Sequence, residues 1–339
     1  MHRVVLACRS QAAAAGGIIS HASKLGVVSF ETPFLPPLAK HFPAHSTVFL
    51  KTASLTAGEV EFQARSFRAQ LLPTVNLVLL LLDPEFQTVD LDKRLREFFT
   101  VSQGLCDTGV VNSFGVSSNG LANNRLTFAT IQQALESGMA FKHVQFPLNM
   151  LEYKPELLDH LPKGWEVSTN RPFTVFDDKQ DTYRLVDGDF PPKYQQSLDD
   201  LLLHFTPPPD APNDELIEAC AWLRNLFSQL DEQLARFTSV LHWERELQQV
   251  VLPMVNEKFD ELDEDTVRLM EEYFKQYTLA VRESGGVKSR ERLGLESSQS
   301  PLLQELAFKF ALEKNPTGKV AVHASSTAQV DDWSRWVTG

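Results

Sequence analysis

Eight short apolar runs, mostly separated by helix-like stretches, constrain this chain more than any single motif in it. The runs are Arg3–Ala7, Val27–Phe30, Thr47–Lys51, Asn76–Leu82, Val111–Val116, His143–Phe146, Glu166–Ser168 and Lys319–Val322. Helical periodicity fills the intervals Gly58–Leu71, Leu91–Leu105, Leu126–Leu135 and Leu151–Leu161. Strand–helix alternation of this length predicts one α/β domain over residues 1–339, a closed parallel (β/α)8 or TIM barrel. An open doubly wound sheet shows the same alternation. The absence of GxGxxG after the first run weighs against it.

Between the seventh and eighth runs the pattern breaks. Residues 207–300 read as a long acidic helical insertion with 19 acids and 10 bases, which holds most of the net charge of −12. It opens on Pro207-Pro208-Pro209, with Asn213 as a helix cap. Leu216, Leu223, Leu226, Leu230, Leu234, Phe237 and Leu241 then recur on one helical face, and Val267, Met270, Phe274, Tyr277 and Val281 repeat the theme. With Trp222 and Phe227, the first stripe is too apolar for a solvent-bathed lid. It predicts burial on the barrel or against a partner. An insertion after strand seven emerges at the barrel's C-terminal face and is expected to lie in part over the mouth. Asp260–Asp265 reads as a solvated helix start, and Ser284–Ser300 as a loop.

The acidic balance argues against a large basic groove for nucleic acid. The most apolar run, Val75–Leu82, is far too short to span a bilayer. Cys8, Cys106 and Cys220 have neither disulfide nor zinc spacing. No acid precedes Glu31, so the start can be read as a very short mitochondrial signal, or as a first strand followed by a small-residue loop. The expected localisation is mitochondrial, with cytoplasmic as the alternative.

Four motifs in order then resemble the aldo-keto reductases. Gly115-Val116-Ser117-Ser118-Asn119 matches the GVSSN strand end, and Phe141–Glu152 resembles the next strand with its Gln145 and Asn149. Asn170-Arg171-Pro172-Phe173, with the basic–Leu pair Arg184-Leu185, resembles NRPL, and Leu82-Asp83-Pro84-Glu85 resembles HNPE. Together these span roughly residues 17–190 and, more weakly, 300–336. The resemblance implies NADPH as hydride donor and a tetrad of Asp, Tyr, Lys and His. Tyr would protonate the carbonyl oxygen, Lys held by Asp would lower the Tyr pKa, and His would orient the substrate.

The chain departs from that tetrad. Glu31 stands at the Asp position, Phe34 or Leu35 falls near the Tyr, Lys51 matches the Lys, and the fourth strand ends Leu81-Leu82-Asp83 in place of His. No register repairs this, because no Tyr precedes Tyr153 and no His lies between His45 and His143. Glu31 and Lys51 are therefore expected to be vestiges, Lys51 as a paired or surface lysine. In the family, residues matching Ser118, Asn119 and Gln145 hold the nicotinamide amide; here they are expected to be vestigial or weak. No Lys or Arg lies between Lys319 and Arg335 to hold a phosphate, so Ser325, Ser326 and Thr327 read as caps or as weak anion donors. His143 and His323 read as core or rim histidines.

The function expected from these residues is a non-catalytic barrel, a structural or protein-interaction subunit of a large mitochondrial assembly that docks through 207–300, with no cofactor. One alternative is an NADP-dependent oxidoreductase acting on carbonyl compounds through a non-standard site such as Glu31, Lys51 or Asp83. A small-molecule sensor is the third.

Overall fold

The computed structural model describes residues 1–8, 12–33, 36–53, 56–69, 74–82, 90–176, 182–207, 214–259, 261–295 and 301–338. They form two compact units, Met1–Pro172 with Glu305–Gly339, and Phe173–Gln304.

In the first unit the strands are β1 (Val4–Ala7), β2 (Ser29–Pro33), β3 (Thr47–Thr52), β4 (Thr74–Leu81), β5 (Ser113–Ser118), β6 (Phe141–Pro147) and β7 (Glu166–Asn170). The second unit carries a hairpin of β8 (Thr174–Phe176) and β9 (Thr182–Arg184), and β10 (Lys319–His323) returns to the first. Strands β1 to β7 and β10 pair in parallel and close into a barrel, with β1 between β2 and β10. All eight expected strands are present. The helices of this unit are α1 (Ala12–Lys24), α2 (Ala57–Arg68), α3 (Leu91–Asp107), α4 (Phe128–Ala134) and α5 (Pro155–Asp159). Apolar contacts between sheet and helices include an aromatic chain of Phe98, Phe99, Phe114, Phe141 and Trp165.

Gly115 is required by backbone proximity. A Cβ there would lie 2.0 Å from the His143 carbonyl oxygen, at the point where the β5–β6 register shifts.

The second unit holds α6 (Tyr194–His204), α7 (Asp214–Glu232), α8 (Val240–Glu246), α9 (Leu252–Lys258) and α10 (Glu264–Arg292). Helices α11 (Leu303–Lys314) and α12 (Thr327–Thr338) follow. The first stripe of the insertion is not one helix. It breaks after α7, turns through Leu234–Arg236 and restarts at Ser239, whose hydroxyl accepts from His242 N at 3.2 Å. A π turn at Leu247–Val251 joins α8 to α9. Pro253 explains it: the ring has no N–H to donate and crowds the carbonyl four residues back, and the wider turn relieves both.

The expected burial of that stripe on the barrel or a partner is met differently. Leu223, Leu226, Phe227, Leu230 and Phe237 are buried in the unit's own core, with Tyr194, Leu201, Trp243, Tyr273 and Tyr277. The acid run does start a helix: Asp263 caps α10, accepting from Thr266 N at 2.9 Å and Thr266 Oγ1 at 2.6 Å. Asn213 and Asp260 lie outside the described residues.

The expected loop at Ser284–Ser300 is overturned over its first half, because α10 runs on to Arg292. Glycine usually costs a helix about 1 kcal/mol. Here Gly285 and Gly286 meet close backbone: a Cβ would lie 2.9 Å from Thr238 O at the first and 2.9 Å from Val186 O at the second. Farther on, Ser289 Oγ donates to Arg184 O at 3.1 Å, and Arg290 donates twice to Asp187 at 2.6 and 2.7 Å. Asp187 also accepts from Leu303 N at 2.6 Å. Burial pushes the Asp187 pKa up, but the hydrogen bonds from Arg290 and Leu303 and the charge of Arg290 outweigh it and hold the group below its ordinary value.

A carboxylate whose folded pKa is depressed stabilises fully above its unfolded pKa, and the contribution is lost as pH falls through the folded value. Asp187→Asn is therefore expected to lower stability by about 1.5–3 kcal/mol at neutral pH. In urea unfolding, the gap from the unsubstituted protein should narrow once pH drops below about 3.9.

Candidate functional site

Side chains alternate across each strand, so every second residue of a barrel strand faces inward. The inner face carries an apolar layer of Val5, Phe49, Val78 and Ala321. One step toward the C-terminal ends of the strands the lining becomes polar. Lys51 on β3 and Glu31 on β2 form an ion pair of 2.8 Å with side chains only 8% and 5% exposed. Burial of this degree is tolerable only because each charge offsets the other and both are hydrogen-bonded.

Gln145 on β6 completes the pair. Its Oε1 accepts from Lys51 Nζ, from Ser117 Oγ at 2.9 Å and from Asn170 Nδ2 at 2.9 Å. Its Nε2 donates to Glu31 Oε2 at 2.8 Å and to Ser168 Oγ at 2.9 Å. Both amide hydrogens and the oxygen are thus spent on the chain's own groups. Ser168 in turn is bonded to His143 Nε2 at 3.0 Å. Burial, then the charges of Lys319 and Lys51, lower the His143 pKa to about 3, so the imidazole is neutral.

Five strands therefore contribute to one polar layer: Glu31, Lys51, Ser117, His143 with Gln145, and Ser168 with Asn170, in which His143 Nδ1 and Asn170 Oδ1 are buried without a hydrogen-bond partner among the described residues. Sequence reasoning singled out Glu31, Lys51 and Gln145 but missed Ser117 and Ser168. Strand register holds the missing signal, because Ser117, Gln145 and Ser168 are direct cross-strand partners.

The other residues matched to the nicotinamide site are placed differently. Ser118 is buried and caps a short 3-10 turn, Asn119–Leu121, accepting from Gly120 N at 3.0 Å and donating to Leu81 O at 3.3 Å. Asn119 is half-buried inside that turn, and its carbonyl accepts from Ala122 N at 3.0 Å. Phe34, Leu35 and Asp83 lie outside the described residues, and Leu82, at the position expected for His, is exposed.

After β10 the last helix closes its own end. Ser325 N donates to Gln329 Oε1 at 2.8 Å, and Ser326 Oγ accepts from Gln329 N at 3.4 Å. This is a reciprocal cap. His323 sits at the rim, 2.9 Å from Ala7 O. The Gln145 amide is thus engaged by groups of its own chain, and the segment after β10 carries no Lys or Arg between Lys319 and Arg335. Among the described residues, no group of three His, Cys, Asp or Glu is placed to hold a metal, and no helix is long and apolar enough to cross a membrane.

No protein-family model matches the chain, and no curated protein matches it. Solved structures do. The chain is similar to the aldo-keto reductase AKR11C1 from Bacillus halodurans, at 13% identity over 99% of this chain and 87% of that one, with a TM-score of 0.48. It is also similar to a thermostable aldo-keto reductase, Tm1743, at 14% identity over 61% and 77% of the two chains, with a TM-score of 0.39. A third is MGS-M4, an aldo-keto reductase from a Medee basin deep-sea metagenome library, at 11% identity over 60% and 76%, with a TM-score of 0.39. The eight-stranded parallel closure itself establishes a (β/α)8 barrel.

Removing one partner of a buried pair strands the other charge. Lys51→Met is expected to cost about 3–5 kcal/mol. The double variant Lys51→Met/Glu31→Gln should recover part of that loss. Urea unfolding of the two single variants and the double variant measures the coupling.

Proposed function

We propose that this chain is a non-catalytic barrel of the aldo-keto reductase type, serving as a structural or protein-interaction subunit of a larger, mitochondrial assembly. The observation that carries this reading is the Gln145 amide, which makes five hydrogen bonds to groups of its own chain. A site that opens to a nicotinamide needs that amide pointing outward and unsatisfied. The sequence agrees, since neither a proton-donating Tyr nor an orienting His occurs on the strands that would supply them. A targeting role for the first ten residues is part of the proposal. It has to leave Val4–Ala7 in place, because they are barrel strand β1.

The second reading is an NADP-dependent oxidoreductase of carbonyl compounds with a non-standard site. The buried Lys51–Glu31 pair favours it, as it keeps two of the four tetrad positions in contact. The structures the chain resembles are also named as reductases.

Calorimetry with NADPH and NADH, followed by an aldehyde-reduction assay, separates the two readings. No micromolar binding and no turnover are expected, since general acid catalysis alone contributes about 10²–10⁴-fold and its donor is missing. Turnover abolished by Lys51→Met would establish the second reading. Phe34→Tyr alone should not confer activity, because Leu82 still stands at the His position.

The acidic insertion, 207–300, is the proposed docking element, with charge complementary to a basic partner. Deleting it would cut through the core of the second unit, so charge reversal is the sharper test. Lysine at Glu261, Glu264 and Asp265, sparing the cap Asp263, should leave the protein folded by circular dichroism but running free of its native particle on a gradient. Retention in the particle would count against this docking site.

A further inference from the structure

A charge half withdrawn from water normally has a counter-charge beside it. Arg3, half-buried just before β1 at the N-terminal end of the strands, has none among the described residues. Its guanidinium is tied to main-chain carbonyls instead. Nε donates to Gly318 O at 3.3 Å, and Nη2 donates to Leu312 O and Asn315 O. The remaining nitrogen, Nη1, meets no acceptor among the described residues, and it is not sealed from solvent. Burial lowers the Arg3 pKa, the direction for a cation that loses water without gaining an anion.

Arg3 lines a groove of about 550 Å³, a size within the range of small-molecule sites. Val4 of β1, Leu312 of α11 and Trp336 and Val337 of α12 supply its apolar walls. The half-buried Trp336 ring lies 5.9 Å from that of the buried Phe308, so α11 braces the indole. Elements of the first unit alone build the groove.

The other charges at the groove are matched within the chain. Lys309 pairs with Glu305 at 2.8 Å, and Glu313 with Lys314 at 2.9 Å. His2 is exposed at the mouth. What is left over is one fixed positive charge beside an apolar, aromatic wall. That combination selects a ligand with a single negative charge on a flat apolar body. A dianion would bring a second charge toward Glu313, and an uncharged ligand would cover the guanidinium without answering it. The guanidinium is also preorganised. Three carbonyls hold its plane, and Val320 N donates to Arg3 O at 2.7 Å, so little freedom is lost when an anion docks.

We propose that this groove is a binding site for small aromatic monocarboxylates. The carboxylate accepts from Arg3 Nη1, and the ring lies along Trp336 and Leu312. The site is at the opposite end of the strands from the Lys51 layer and does not depend on whether that layer is catalytic.

Calorimetry of the full chain with cinnamate and its uncharged counterpart, cinnamamide, is the test. Cinnamate should bind at least about tenfold tighter, because it alone brings a counter-charge to the guanidinium. Arg3→Gln should abolish that preference. If Arg3→Gln does not fold, Val337→Glu reads the same contact from an exposed position on the groove. The added carboxylate competes for the guanidinium and should weaken cinnamate about tenfold while changing cinnamamide little. No binding of cinnamate at millimolar concentration, equal binding of the acid and the amide, or an unchanged cinnamate affinity in Val337→Glu would overturn the proposal.

Discussion

A charge carried into a barrel interior must be met there, and the pairing of Lys51 with Glu31 is the constraint around which the mouth is built. Once both are withdrawn from water, every lone pair and proton they leave over needs a partner, because unsatisfied polar groups in a low-dielectric interior are costly. Gln145 supplies both kinds, and Ser117, Ser168 and Asn170 satisfy what remains of Gln145. These hydrogen bonds tie β2, β3, β5, β6 and β7 to one another inside the barrel.

The barrel was legible because its signal is repetitive and local. Apolar runs mark strands wherever both faces are covered. The signal fails where a strand is polar for a reason outside itself. Strand β2 was expected to end at Phe30, yet it continues through Glu31 and Thr32 to Pro33, since the carboxylate has its counter-charge on the neighbouring strand. Lys51 and Gln145 stood out by their place in motifs. Ser117 and Ser168 did not, because a serine acquires meaning only from what lies across the ladder from it.

The second unit shows the same limit from the other side. Gly285-Gly286 reads as a break when helix propensity is summed along the chain. In the fold it is where α10 presses against two stretches of backbone that would reject a methyl group. The single apolar stripe of the insertion is likewise cut by a cap at Ser239, whose role depends on the turn before it. Propensity and periodicity describe isolated segments, and these residues are specified by contact between segments.

The closure of the barrel by β1 and β10 also sets an order of events during synthesis. The second unit is continuous in sequence and complete once residue 304 has been made, whereas the first is split around it. Until β10 emerges, β1 has only β2 as a neighbour, and the far edge of β7 is unpaired. A nascent chain therefore carries two open parallel edges for more than a hundred residues of translation, and open edges of this kind template misassembly. Pairing between Val4 and Val320 is among the most distant contacts the chain can make, so ring closure is slow by topology.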